Sequence, residues 1–461
     1  MKGDISRDSF DPGKGYSRVL QQQGRVTLDA DLNESQAIYL HRERTVLADI
    51  IGPHGGPAGA LGFAIRPHMR RGRVYDLHIG PGRYYVDGIL CRNEPGNACG
   101  AQTPSVSYRN QPYRPHPARR SNDLLECPLL VYLDVWERHI TYIEDPEIRE
   151  PALGGADTAT RSQVIWQVKL WPLPERWVEG AQAWPVFQAW RRIGPDFRIG
   201  CMRADVARPS GSGAGTVAPA SPRFLGPENH LYRVEVHRVH PDRQELAFKW
   251  SRDNGSVAYP VSAVEGALVT LAPWASEDAI RLQAGDWVEI EDDRYALLGP
   301  EQVVVTEETL FRVAHVEPST RQVRLQKAPP AAFGQNLDEH PLLRRWDQKG
   351  NEEQALVGGA VEVRLAEEGW HDLEYGVRIQ FQATGEYQPG YYWQVPARYD
   401  SGTLLWPRTL DPESGEPVSQ FRPPPGVHHH YAPLAIVTHD GEVVDCRRVF
   451  QPLAEAVLRQ K

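Results

Sequence analysis

The stretch Tyr232-Arg233-Val234-Glu235-Val236 alternates apolar and charged side chains, and its reading decides the fold. A period of two puts Tyr232, Val234 and Val236 on one face of an extended chain and Arg233 and Glu235 on the other, the pattern of a half-buried strand. The same alternation returns at Val164, Trp166, Val168 and Leu170, and again at Val377, Ile379 and Phe381. Turn-rich sequence separates such runs: Gly80-Pro81-Gly82, Asp253-Asn254-Gly255 and Pro423-Pro424-Pro425-Gly426. No strong helical pattern recurs between them, which favours antiparallel sandwiches or barrels over a βαβ sheet. The expected fold class is mainly β: multidomain antiparallel β-sandwich or barrel modules, with an N-terminal attachment segment and one helix.

That helix is expected after residue 27. Asp31-Leu32-Asn33-Glu34 has the form of a capping box, with Asp31 as N-cap and Glu34 three positions on. Leu32, Tyr39, Leu40, Val46, Leu47, Ile50 and Ile51 follow helical spacing, interrupted by Glu43 and Arg44, and Gly52-Pro53 supplies the stop. Gly55 to Gly59 reads as a hinge or tight loop. Residues 203–222, with Pro209-Ser210-Gly211-Ser212-Gly213-Ala214-Gly215, read as a flexible linker or exposed loop. A softer boundary lies near Asp347 to Asn351. The expected order is a segment and helix at 1–60, a β domain at 61–202, the linker at 203–222, a barrel or sandwich at 223–347 and a C-terminal β domain at 348–461. No repeat of solenoid or propeller period is present.

Bulk properties narrow the function classes. A chain of 461 residues exceeds one ordinary core, and 41% hydrophobic with 24% charged residues is globular composition. A formal net charge of -9 supplies no overall basic footprint for nucleic acid or for an anionic membrane surface. No apolar run reaches the ~18 residues of a membrane span, and residues 1–8 lack the apolar stretch of a signal peptide, so synthesis in the cytoplasm is expected. Cys91, Cys99, Cys127, Cys201 and Cys446 are few and widely spaced, which fits isolated thiols better than a Cys91–Cys99 bridge. The 39 Pro, 40 Gly, 13 Trp and 18 Tyr suit sheets, loops and interfaces.

The chemistry-bearing motifs are weak. There is no G-x-S-x-G elbow, P-loop, H-E-x-x-H or dinucleotide fingerprint. In the run His428-His429-His430, only His428 and His430 share a strand face. They are the candidate metal ligands, set against packing or hydrogen bonding, and no cofactor is expected. Asp286, Glu289, Glu291, Asp292 and Asp293, interspersed with Trp287, Val288 and Ile290, read as a strand running into a solvated acidic turn. Asp145, Glu147, Glu150 and Asp157 read as a hydrated loop rather than a glycosidase-like pair. Trp250 and Trp393 are candidates for stacking on a sugar or anchoring an interface, with core positions the alternative.

A compound pattern then identifies a family. Met1-Lys2-Gly3-Asp4, Tyr16-Ser17-Arg18-Val19-Leu20-Gln21-Gln22-Gln23-Gly24-Arg25-Val26 and Leu28-Asp29-Ala30-Asp31-Leu32-Asn33-Glu34 resemble a largely uncharacterised bacterial family whose genes commonly lie in contractile injection system clusters. The resemblance continues through Leu133 to Arg138, Ala152 to Thr158, Phe248 to Ser256, Gly285 to Glu289, Arg344 to Asp347, Tyr392 to Arg398 and His429 to Leu434. Ala156 stands where the pattern has proline. The resemblance implies a structural subunit of a phage-tail-like particle, associated with the baseplate or built as a fibre or cage. The particle would be intracellular, membrane-anchored or released, with sheath, baseplate and spike-proximal proteins as neighbours. A homo-oligomer set by particle symmetry is expected. In relatives a similar N-terminal segment precedes different distal domains, so Tyr16, Arg18, Val19, Leu20, Gln22, Gln23, Arg25, Asp29, Asp31, Asn33 and Glu34 become the attachment candidates. A carbohydrate- or receptor-binding module contacting a cell-surface glycan is the first alternative, and an injected effector or hydrolase the second.

Overall fold

Tyr232, Val234 and Val236 lie on the strand His230–His240, with Glu245–Ser251 antiparallel on one side and Tyr392–Arg398 on the other. Val234 faces Trp250 in one neighbour and Trp393 in the other, so a single row of large apolar side chains crosses three strands. The computed structural model describes residues 2–94, 105–114, 128–173, 199–207, 222–273, 281–297, 309–330, 334–350, 355–367 and 369–451, with residues 184, 185 and 187. These three strands are the centre of a six-stranded sheet completed by Leu356–Val357, Ala360–Arg364 and Thr403–Leu404. Val377–Phe381, with His371–Asp372 and Met202–Val206 beside it, contributes Val377, Ile379, Phe381, Met202 and Ala204 to the same apolar core.

The chain divides into two compact units. The barrel unit comprises residues 1–8, 139–161 and 198–426 and contains the six-stranded sheet. It also holds a closed six-stranded barrel, in the order Ala258–Glu265, Leu268–Leu271, Gln322–Leu325, Leu310–Glu317, Trp287–Glu291 and Leu342–Trp346. Val269, Val288, Ile290, Val323 and Leu343 fill the barrel. The arm-bearing unit comprises residues 9–138, 162–197 and 427–461. One of its sheets orders Val449–Phe450, His54–Pro57, Gly82–Val86 and Ile89–Asn93, and a second orders Ile65–Arg70, Arg73–Ile79 and Val106–Ser107. The third orders Val443–Asp445, His430–Val437, Leu129–Ile140 and Arg161–Pro172. Phe63, Leu77, Ile79, Tyr84, Leu133 and Trp166 lie in its core. Two hairpins turn on Arg71-Gly72 and Asp87-Gly88, both residues of each pair at positive φ, the two-residue turn whose twist matches paired strands.

The mainly β expectation is met, while the linear order of segments is not how the units are composed. Residues 1–8 fold with the barrel unit and 9–60 with the other, so the 1–60 segment is divided between them. Residues 203–206, expected in the linker, form a strand in register with Val377–Phe381, held because Ala204 and Val206 are buried. Pro209 to Gly215, Cys99 and Cys127 lie outside the described residues. Cys91 is buried, which pushes its thiol well above the usual range.

The long helix, α1, runs Asp29–Ile51. It starts two residues before the expected N-cap: Leu28 occupies the cap without a side-chain bond, and Asp29 and Asp31 sit in the first turn, where they favour the positive end of the helix. Glu34 is taken by Ser9, whose hydroxyl donates to it at 2.6 Å, so the box cannot close. Gly52 ends the helix as expected, its N–H donating to Ala48 O.

Candidate docking surface and buried charge clusters

Residues 11–28 cross the surface of the arm-bearing unit almost wholly exposed. Asp11 caps a short turn at Pro12–Lys14, Gly24 takes positive φ, and no backbone–backbone hydrogen bond involves Tyr16 to Gln21 among the described residues. Tyr16 is 60% exposed, Leu20 69% and Val26 82%. Arg18, Gln22, Gln23, Arg25, Asp29 and Asn33 are also exposed, while Val19, Asp31 and Glu34 are half-buried. This arm leads directly into α1.

Of the apolar stripe on α1, Leu47 and Ile51 are half-buried and the rest faces outward. Only Ala30 and Ile38 are buried. Leu32, Tyr39 and Val46 at seven-residue spacing, and Ile50 four further on, fall within roughly 40° of one another around the axis, and all are exposed. Leu40 is exposed beside them. Glu43 lies within the same sector, while Arg44 turns off it and pairs with Glu137 at 2.9 Å. Gly88 brings a hairpin turn against the helix backbone: a Cβ there would sit 2.3 Å from Arg44 O. Phe10 covers His41 with ring centroids 5.6 Å apart. The contacts that hold this 23-residue helix, among them Ala30 and Ile38, the Arg44–Glu137 pair, Ser9 on Glu34 and Phe10 on His41, leave the face of Leu32, Tyr39, Val46 and Ile50 exposed.

The barrel unit holds a dense ion cluster that sequence spacing concealed. Lys249, 0% exposed, donates to Glu289 and lies 3.3 Å from Glu235. Arg233 pairs with Glu235 at 2.7 Å, Arg344 with Glu291 at 2.9 Å, and Lys2 reaches Glu291 at 2.8 Å and Glu235 at 3.6 Å. Trp346 Nε1 and Thr309 Oγ1 donate to Glu289 at 2.9 and 3.2 Å. Burial alone would raise these carboxyls. Lys2, Arg233 and Lys249 hold Glu235 well below the usual range, and Arg344 and Lys2 bring Glu291 down to about 2. Lys249 is likewise driven down by burial but raised on balance by its carboxylates, Glu289 foremost. The segment 2–8 is tied in by backbone contacts too: Asn254 donates to Gly3 O at 2.9 Å and Arg398 to Ser6 O at 3.0 Å. Asn254 sits at positive φ in the Asp253-Asn254-Gly255 turn, which aims its amide at Gly3.

The solvated acidic turn is thereby corrected. Glu289 and Glu291 are buried because Trp287–Glu291 is a barrel strand whose outward row meets Lys249 and Arg344 instead of water. Asp286 accepts from Gln283 N and Asp292 binds Arg294, both closing turns. Asp145 and Glu150 cap short turns, as suits a loop. Trp250 and Trp393 are 3% and 1% exposed, in the core row opposite Val234, so neither offers a face to a sugar or an interface. Trp393 donates its indole N–H to Arg422 O at 2.8 Å and packs edge-on against Phe381.

The histidine run is divided by its strand. His430 Nδ1 lies 2.8 Å from Asp87 Oδ2, while His429 contacts buried Asp134 at 2.7 Å and stacks on Trp136. Lys169 donates to the other oxygen of Asp134 at 2.6 Å. Burial would raise Asp134, but His429 and Lys169 lower it to about 2. Burial and its two histidine neighbours lower His428. Among the described residues no three His, Cys, Asp or Glu converge as a metal site. The Asp134–His429 contact joins residues 295 apart in the chain and fixes strand pairing, with Tyr431 opposite Asp134. Nothing in local spacing announces it.

A family model described as a family of unknown function, DUF6519, matches residues 1–176 and 191–461. No curated protein and no solved structure matches the chain.

Proposed function

We propose that this chain, which belongs to the DUF6519 family, is a structural subunit of a phage-tail-like contractile particle that docks through its N-terminal arm and α1. The observation that carries the docking is the outward stripe Leu32, Tyr39, Val46 and Ile50 beside an arm exposing Tyr16, Leu20 and Val26. The particle itself rests on the sequence resemblance. An extended arm with unpaired backbone can add to a partner's sheet edge, and an apolar helix face can lie in a partner's groove. Each large apolar side chain so buried contributes about 1.5–3 kcal/mol before the cost of association. In this role each β unit serves as a scaffold, and no catalytic step is required.

The test is incorporation. The tagged chain, expressed with its gene cluster, should sediment with sheathed particles, and image averages of particles lacking it should lose density at one site. Leu32→Asp/Tyr39→Asp/Val46→Asp should leave a folded monomer absent from particles. Abundant folded wild-type chain absent from every particle, or full incorporation of the triple variant, would refute the proposal.

A further inference from the structure

The hairpin Ile65–Ile79 and residues 105–114 gather Arg66, Arg70, Arg71, Arg73, Arg109 and Arg114 with Asp76 as the acid within these two segments, on a chain whose net charge is -9, while Asp440 and Glu442 flank Gly441 where it packs against Met69 at one edge. Asp76 is buried and accepts from the Ser107 hydroxyl at 2.5 Å and from Leu77 N at 2.9 Å, so it does not neutralise the outer face. Val74, Leu77 and Ile79 lie in the core, the register shifting between His68 and Met69, and Arg66, His68 and Arg70 are exposed. Arg66 is in register with His78, and Arg70 with Arg73. Among the described residues, Arg66, Arg70, Arg71 and Arg73 form no ion pair, although they crowd one hairpin. Like charges directly opposite across strands are destabilising. A surface that holds cations together in this way gains free energy when an anion covers it.

We propose that this sheet face binds an acidic polysaccharide, a sugar polymer carrying carboxylates. Every cation here is arginine, whose planar fork pairs with carboxylate through two parallel hydrogen bonds. Met69, 40% exposed within the patch, adds apolar surface beside the charges. Tyr75 carries Arg70 and Arg109 at 5.2 and 5.0 Å from its ring centre, and Tyr108 carries Arg114 at 4.3 Å, so these tyrosine rings serve the guanidiniums instead of stacking on a base. Beyond a hairpin about 20 Å long, a duplex with one charge per ~1.7 Å meets more repulsion per unit length from an acidic chain than a polymer with one charge per sugar.

The proposal is independent of docking and is tested on the whole isolated chain. Polygalacturonate immobilised on a biosensor should bind it, with affinity falling about tenfold or more between 50 and 200 mM salt, and neutral dextran should not. Arg70→Glu/Arg73→Glu should weaken binding about tenfold or more, and the milder Arg66→Gln/Arg70→Gln, which leaves the Arg71-Gly72 turn itself unchanged, should weaken it less. Arg324→Glu, exposed in the barrel unit, is the control for net charge. Three results would overturn the proposal: no binding to polygalacturonate at 50 mM salt, equal losses in Arg324→Glu and the hairpin variants, or tighter binding to a 20-base-pair DNA duplex.

Discussion

Replacing Lys249 with Met removes one charge from the buried cluster and keeps most of the side-chain volume. Glu235 retains Arg233 and Lys2, but among the described residues Glu289 is left with the Thr309 hydroxyl and the Trp346 indole within hydrogen-bonding distance. Breaking a buried ion pair on one side costs about 3–5 kcal/mol. Glu289 has an escape, because burial already pushes its carboxyl above the ordinary 4.5. Taking up a proton at pH 7 from a group of solution pKa near 4.5 costs about 3.4 kcal/mol, which caps the penalty, and at pH 5 the same step costs about 0.7. The expected loss is therefore about 3 kcal/mol at pH 7, shrinking below about 1 at pH 5. Lys249→Met/Glu289→Gln should recover most of the loss at pH 7. Urea unfolding followed by tryptophan fluorescence at the two pH values measures this. Equal losses at both, or a loss below about 1 kcal/mol at pH 7, would refute the assignment of Glu289 as the stranded charge.

Three further outcomes are expected. Gly88→Ala forces a Cβ into the α1 backbone at a left-handed φ and should cost about 2 kcal/mol or more in thermal or urea unfolding of the arm-bearing unit. Burial and Arg448 lower His54 to about 4 from 6.5, so the unfolded chain takes up the proton first. Stability should fall as pH drops from 6.5 towards 4, by about 3 kcal/mol in all, and His54→Gln should flatten that slope. Trp393→Ala should cost about 3–5 kcal/mol of stability in calorimetry or urea unfolding, the cost of a core cavity.

The alternation at Tyr232 to Val236 was enough to read strands, and the turn at Asp253-Asn254-Gly255 and the stop at Gly52 were equally legible, because strand period, positive φ and helix termination are local properties. The same stretch shows where local reading ends. Arg233 and Glu235 look like a solvent face, yet both are buried, because Lys2, Lys249, Glu289, Glu291 and Arg344 arrive from four other segments to neutralise them. Trp250 and Trp393 carried no mark separating core from surface until strand order placed them opposite Val234. On α1 the sequence supplied a stripe of apolar residues but not its direction. Ala30 and Ile38 take the inward side, because Gly88 and Glu137 meet the helix there, and Leu32, Tyr39, Val46 and Ile50 are turned outward. Periodicity determines that a face exists; only packing between distant segments determines whether it is filled.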